Sequence, residues 1–133
     1  MLHASRVLVV EDYEPFRRML TRTLAGVPGL QIVGEVSDGL EATQQAERLQ
    51  PDLILLDIGL PTLDGIEAAR RIHKSIPECK ILFVSQESSA DVAQEAFNSG
   101  AQGYVVKGQA GSELLAALEA VRQGRQFISH GLS

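Results

Sequence analysis

The chain has 133 residues, 44% of them hydrophobic, which suits one domain of ordinary size with its own core. A formal net charge of −5 argues against a general nucleic-acid binder, and no apolar run approaches the ~20 residues of a membrane span. Cys79 is the only cysteine, so an internal disulfide is excluded; it reads as a small core or edge residue, and a reducing cytoplasm is the expected compartment.

The start, MLHASRVLVVED, carries no small-residue cleavage pattern and does not read as a signal peptide. Val7–Val10 is an apolar run of strand length that ends in two acids, Glu11 and Asp12. Phe16, Leu20 and Leu24 then recur every four residues, the spacing of a helix face. Pro28-Gly29 breaks the chain before a second strand, Leu30–Val36, which alternates and is interrupted by Gly34. Asp38-Gly39 reads as a turn opening a helix with Ala42, Ala46 and Leu49 on one face. Pro51 leads into the continuous apolar run Leu53–Leu56, which ends at Asp57. Asp64-Gly65 opens a third helix through Ala69, Ile72 and Ile76, with Asp64 read as its cap. The densest basic cluster, Arg70, Arg71, His73 and Lys74, lies on that helix and reads as a solvated face.

After Pro77 comes the run Ile81–Val84, followed by Ser85. Val92, Ala93, Ala96 and Phe97 mark a fourth helix, Tyr104–Val106 a fifth strand ending at Lys107, and Leu114, Leu118 and Val121 a fifth helix. The ending RQGRQFISHGLS has lost helical period. Residues 1–124 therefore read as the domain, and 125–133 as an exit segment or the start of a linker.

Strand and helix alternate five times, which predicts an α/β fold with a parallel sheet and right-handed crossovers. Runs one, three and four are continuously apolar, as strands covered on both faces must be; run two alternates and run five is short, so both read as edges. A single doubly wound (βα)5 domain of flavodoxin-like order 2-1-3-4-5 satisfies this pattern.

In such a sheet ligands bind outside the carboxyl ends of the strands. Strand one delivers Glu11 and Asp12 there, strand three Asp57, strand four Ser85 and strand five Lys107. Strands one and three are neighbours, so three carboxylates converge. That repulsion requires a proton or a cation, and an all-oxygen set suits a hard ion, Mg²⁺ or Mn²⁺. Lys107 and one divalent ion would balance the three acids. Asp57 is placed to act as a nucleophile that accepts a phosphoryl group, with Ser85 and Lys107 able to reach its oxygens and the Gly59 carbonyl free to face a metal. Each residue alone has a plainer reading: Ser85 as a cap of helix four, Lys107 as a surface lysine, Tyr104 as an edge aromatic. The joint occurrence at carboxyl ends favours the site. His3, His73 and His130 lack metal-site spacing.

The segments VLVVED, LILLDIGLPTLDG, ILFVSQ and GAQGYVVK, in that order and at these intervals, resemble the receiver domain of bacterial two-component response regulators. GIEAARRI and LLAALEAVRQGRQFIS resemble the NarL/LuxR subfamily more specifically. The resemblance implies Asp57 as phosphoacceptor, charged by a sensor histidine kinase or a small phosphodonor. It implies Mg²⁺ held by Glu11, Asp12, Asp57 and the Gly59 carbonyl, and Ser85 and Lys107 as phosphoryl binders. Tyr104 would turn inward when Ser85 moves, remodelling the face of helix four, strand five and helix five to control a transcription-regulator output. The chain would be a phosphoacceptor that assists only its own phosphorylation and dephosphorylation. It would contact no DNA itself, since the subfamily's helix-turn-helix domain is not in this sequence. Two copies could pair through helices one and five or the helix-four face.

Two positions depart from the family pattern. Gln86 follows Ser85 where a small residue is usual, so it is expected to modulate access to the site and alter phosphorylation or dephosphorylation rates. Gly108 follows Lys107 where proline is common, so no cis bond is expected there. The alternative reading is a receiver-like interaction module that works without phosphorylation. A haloacid-dehalogenase-type phosphatase would want a second Asp two residues after Asp57, and Gly59 stands there.

Overall fold

The computed structural model describes residues 4–132, so His3 lies outside the described residues. The elements run β1 (Ser5–Val10), α1 (Glu14–Ala25), β2 (Leu30–Val36), α2 (Gly39–Leu49), β3 (Leu53–Leu56) and α3 (Gly65–Ser75). They continue with β4 (Lys80–Ser85), α4 (Ala90–Asn98), β5 (Gly103–Val106), α5 (Ala110–Arg122) and β6 (Phe127–Ile128). All strand pairs are parallel, in the order 2-1-3-4-5-6.

Period-two alternation divides the sheet's side chains between two cores. Leu8, Val10, Ile54, Leu56, Ile81, Phe83 and Tyr104 face α2, α3 and α4, where Ala42, Ala46, Ala69, Ile72, Ala93 and Ala96 meet them. Val7, Val9, Leu53, Leu55, Leu82, Val84 and Val105 face α1 and α5, against Leu20, Leu24, Leu114, Leu118 and Val121. β3 is buried along its whole length, as its unbroken apolar run requires, whereas β2 is mostly half-exposed. Gly34 sits where the β1–β2 register shifts: Val7 pairs with Ile32 but Leu8 with Gly34, leaving Val33 as the extra residue. The aspartates of both Asp-Gly pairs cap helices. Asp38 accepts from the Glu41 amide at 2.6 Å and Asp64 from the Glu67 amide at 3.0 Å. The basic residues Arg70, Arg71, His73 and Lys74 are exposed, and Cys79 is buried.

One expectation needs correcting: β5 is not an edge. Phe127 and Ile128 pair with Gly103 and Tyr104, so β6 takes the edge and β5 is buried on both sides. Two residues are too few to show periodicity in sequence. What holds β6 is a set of hydrogen bonds. The Ser129 amide donates to the Tyr104 carbonyl at 2.9 Å, and the Ser129 hydroxyl accepts from the Val106 amide at 2.8 Å. The same hydroxyl donates to a Glu113 carboxylate oxygen, whose partner oxygen accepts from the His130 amide at 2.9 Å. No cis peptide bond occurs among the described residues, Gly108 included.

Candidate functional site

The register of the sheet builds the site. Val10 pairs with Leu56, so the residues after them, Glu11 and Asp57, emerge side by side. The ladder extends one step further to hold them: the Asp57 amide donates to the Val10 carbonyl at 3.2 Å and the Glu11 amide to the Val36 carbonyl at 3.0 Å. Strand parity carries Glu11, Asp57 and Lys107 to the α1–α5 side of the sheet, following Val9, Leu55 and Val105. Ser85 and Tyr104 share the opposite side, following Phe83.

The Lys107 ammonium stands between the two buried acids, 2.8 Å from Glu11 Oε1 and 3.0 Å from Asp57 Oδ2. The contact to Asp57 is an aligned hydrogen bond. That to Glu11 is a buried ion pair, in which the ammonium is the close partner of Glu11 Oε1. Glu11 Oε2 accepts from the Tyr13 amide at 3.0 Å. Burial raises the Glu11 carboxyl above its ordinary value, and the Asp57 charge adds to this; Lys107 and the Tyr13 amide offset only part of it. For Lys107 burial works downward, but its two carboxylate partners outweigh it and the net shift is upward. The two partners thus differ: the ion pair decides the lysine, desolvation decides the glutamate.

Carboxylate oxygens of Glu11, Asp12 and Asp57 lie within 4.8 Å of one another, close enough to share one metal ion. Glu11 and Asp57 are buried while Asp12 is exposed. This all-oxygen set fits a hard divalent cation. Above the acids opens a cleft of about 590 Å³, lined by Asp12, Tyr13, Phe16, Asp57, Ile58, Gly59, Ser85, Gln86, Glu87, Lys107 and Gly108. Asp57 is not a helix cap. Its Oδ1 accepts only from the next amide, Ile58, at 2.7 Å, and its other oxygen meets Lys107.

Six of the residues expected at the site therefore line one cleft: Asp12, Asp57, Gly59, Ser85, Gln86 and Lys107. Glu11 lies beneath them. Tyr104, expected to turn inward only when Ser85 moves, is already fully buried behind the cleft, its hydroxyl donating to the Glu87 carbonyl at 2.7 Å, and burial raises its pKa. Ser85 does not cap helix four. Its hydroxyl accepts from the Glu87 amide at 3.2 Å, and Ser89 caps α4 through the Asp91 and Val92 amides.

Three contributors escaped the reading of the sequence. Phe16 lines the cleft although its spacing assigned it only to a helix face; its place in the first turn after the acid pair was the available signal. Glu87 enters through its backbone. Gly65 packs so closely that a Cβ there would lie 1.8 Å from the Asp57 carbonyl oxygen. The Gly65 amide also donates to the Ile58 carbonyl at 2.7 Å, so the start of α3 props the loop that begins at Asp57. That loop holds Thr62 at φ 70, a left-handed conformation unfavourable for a β-branched residue.

A doubly wound parallel sheet of this order, with an acid cluster able to hold a metal at its carboxyl rim, defines the receiver class of flavodoxin-like domains. Comparison with known proteins agrees. The family model for the response regulator receiver domain matches residues 7–119, and the chain belongs to that family. Response regulator GacA of Pseudomonas viridiflava is 36% identical over 124 residues, 93% of this chain and 58% of that protein. Response regulator UvrY of Escherichia coli is 31% identical over 127 residues, 96% of this chain and again 58% of the relative. The chain thus spans little more than half the length of these relatives. The crystal structure of a LuxR-family two-component response regulator from an Aurantimonas species superposes with a TM-score of 0.92 at 32% identity, covering 97% of this chain and 92% of that one. Among the described residues no helix is long and apolar enough to cross a membrane.

Proposed function

We propose that this receiver domain is a phosphorylation-activated switch with Asp57 as its phosphoacceptor. The observation that carries the reading is the Lys107 ammonium held between Asp57 and Glu11 on the floor of an open cleft, among three clustered carboxylates. An Asp57 carboxylate oxygen attacks the phosphorus of a phosphohistidine on a sensor kinase. The P–N bond breaks as the P–O bond forms. The imidazole nitrogen keeps the bonding pair and takes up a proton, and Asp57 becomes an acyl phosphate. Lys107 then turns from the Asp57 oxygen to a phosphoryl oxygen, and the Ser85 hydroxyl donates to a second. Glu11, Asp12, Asp57 and the Gly59 carbonyl would hold Mg²⁺, or Mn²⁺, which supplies charge neutralisation at the phosphoryl group. The domain turns over no separate substrate; it assists only the gain and loss of its own phosphoryl group.

Output is carried by Tyr104 and the face around it. Movement of Ser85 toward the phosphoryl group pulls on the turn at Glu87, whose carbonyl holds the Tyr104 hydroxyl. The remodelled face then comprises α4, β5 and α5 together with β6, which covers the flank of β5. The receiver extends past residue 124 through β6 and Ser129, which bond to β5, rather than giving way to an exit segment at 125–133, and its signal passes to a transcription-regulating partner domain in the cytoplasm; pairing of two copies through this face or through α1 and α5 fits the same scheme. Gln86, exposed at the cleft mouth, tunes access, so Gln86→Ala changes the rate of phosphorylation or of dephosphorylation.

The test is incubation with Mg²⁺ and acetyl phosphate followed by intact mass measurement. The mass rises by one phosphoryl group, and Asp57→Asn abolishes the rise. An unmodified wild-type chain would favour a phosphorylation-independent interaction module instead. Equal rates for Gln86→Ala and wild type would remove the access role.

A further inference from the structure

The wall of the cleft facing the acids is aromatic. Phe16 projects from the first turn of α1, half-buried, and the Lys107 ammonium lies 4.7 Å from its ring centroid. The ammonium therefore has three neighbours of different kinds: Glu11 Oε1 at 2.8 Å, Asp57 Oδ2 at 3.0 Å, and the face of a neutral ring.

We propose that Phe16 is a positioning residue for phosphoryl transfer, holding the Lys107 ammonium in place through its ring face while the carboxylate partners of the lysine change. This rests on the reading of Asp57 as phosphoacceptor and extends it to a residue outside the acid and phosphoryl-binding set.

The physical need is specific. Lysine carries its charge on a flexible four-carbon stem, so its aim depends on what holds the tip. Neither carboxylate holds it through the whole cycle. Asp57 loses its carboxylate charge when it becomes an acyl phosphate. Glu11 belongs to the set that faces a divalent cation, which competes for its oxygens. The ring attracts a cation through its quadrupole and carries no net charge, so neither phosphorylation nor a metal draws it away. It accepts no conventional hydrogen bond either, which leaves the N–H donors of the ammonium free for oxygen. Its contribution thus grows as the carboxylate contacts weaken, and Lys107 meets the phosphoryl oxygens without a new search of its rotamers.

Phe16 also packs on the core beside Leu20 and Leu24, so deletion alone would mix two effects. Graded fluorination separates them. Replacing Phe16 with 4-fluoro-, 3,5-difluoro- and 3,4,5-trifluorophenylalanine nearly preserves the shape of the ring but drains the negative potential of its face. The rate of phosphorylation by acetyl phosphate with Mg²⁺ should fall stepwise, its logarithm linear in fluorine number, by about 2–5-fold for the trifluoro ring. The melting temperature should fall by only a few degrees across the series, the share of the same contact in the resting protein. A second readout needs no phosphorylation: the Lys107 ε-methylene protons should be shifted upfield by the ring current and lose that shift in Phe16→Leu. The shift should persist in the phosphorylated protein.

A flat fluorine series in a protein that phosphorylates normally would overturn the role of Phe16 and leave Asp57 as the acceptor. Loss of the ring-current shift on phosphorylation would overturn it as well. A wild-type chain that takes no phosphoryl group would remove both readings together.

Discussion

Gly65 offers a test of how tightly α3 positions Asp57. Replacement by alanine puts a Cβ 1.8 Å from the Asp57 carbonyl oxygen and 2.8 Å from Ile58 Cα, both backbone atoms that no rotamer change can move. Contact cannot be closer than about 3.0 Å, so the Asp57 carbonyl must retreat by roughly 1.2 Å. Two effects compete. Alanine is favoured over glycine within a helix by at most about 1 kcal/mol, and less at its first residue. Overpacking against an unyielding neighbour costs about 1–3 kcal/mol, and the displaced loop also strains the 2.7 Å bond from the Gly65 amide to the Ile58 carbonyl, worth about 1 kcal/mol. The clash prevails, and a net loss of about 2 kcal/mol is expected in urea denaturation. The effect on activity should be disproportionate. A reacting group misplaced by about 1 Å loses on the order of 10²-fold in rate, so the variant should take a phosphoryl group from acetyl phosphate about a hundred times more slowly even where it is fully folded. Gly59→Ala is the control: a Cβ there meets nothing within 4 Å, and stability should stay within about 0.5 kcal/mol of wild type. A Gly65→Ala protein of wild-type stability and phosphorylation rate, or a Gly59→Ala protein destabilised as severely, would refute the reasoning.

Glu11→Gln should raise the melting temperature without divalent metal and weaken Mg²⁺ binding. The folded pKa of Glu11 is raised above its unfolded value, so its favourable contribution exists at low pH and is lost as pH rises through the folded pKa. At neutral pH the charge opposes folding and the amide removes that opposition; a variant that melts lower would contradict this sign. Ser129→Ala should cost about 1–3 kcal/mol, because it orphans the Val106 amide and a Glu113 oxygen and loosens β6; hydrogen exchange at the Val106 amide should quicken, and unchanged protection would disprove the latch. Burial, with the charges of Asp52 and Glu78 adding, pushes the Cys79 thiol up to about 12. Iodoacetamide should therefore leave the folded protein unmodified at neutral pH and label it promptly in urea; rapid labelling of the native state would show that the thiol is accessible.

Much of this molecule follows from local patterns. The continuous apolar runs of β1, β3 and β4 read as strands covered on both faces, and an acid or hydroxyl that ends such a run emerges at its carboxyl rim. That logic placed Glu11, Asp57, Ser85 and Lys107 near one another, and strand parity could have sorted them by face. It also assigned Asp64 to a cap. Other features depend on atoms distant in sequence. Two residues, Phe127 and Ile128, become a strand only because β5 offers an open ladder and Ser129 finds Val106 and Glu113 there. Of the adjacent acids Glu11 and Asp12, only Glu11 is buried, because strand direction turns it under Lys107 while its neighbour meets solvent. The need for glycine at 65 appears only when α3 is laid against the Asp57 backbone, and the ring of Phe16 reaches Lys107 only once α1 folds back over β1. Periodicity and strand ends are properties of neighbouring residues, so the sequence carries them. Contact distance, burial and hydrogen-bond closure arise between segments dozens of residues apart, and packing alone decides them.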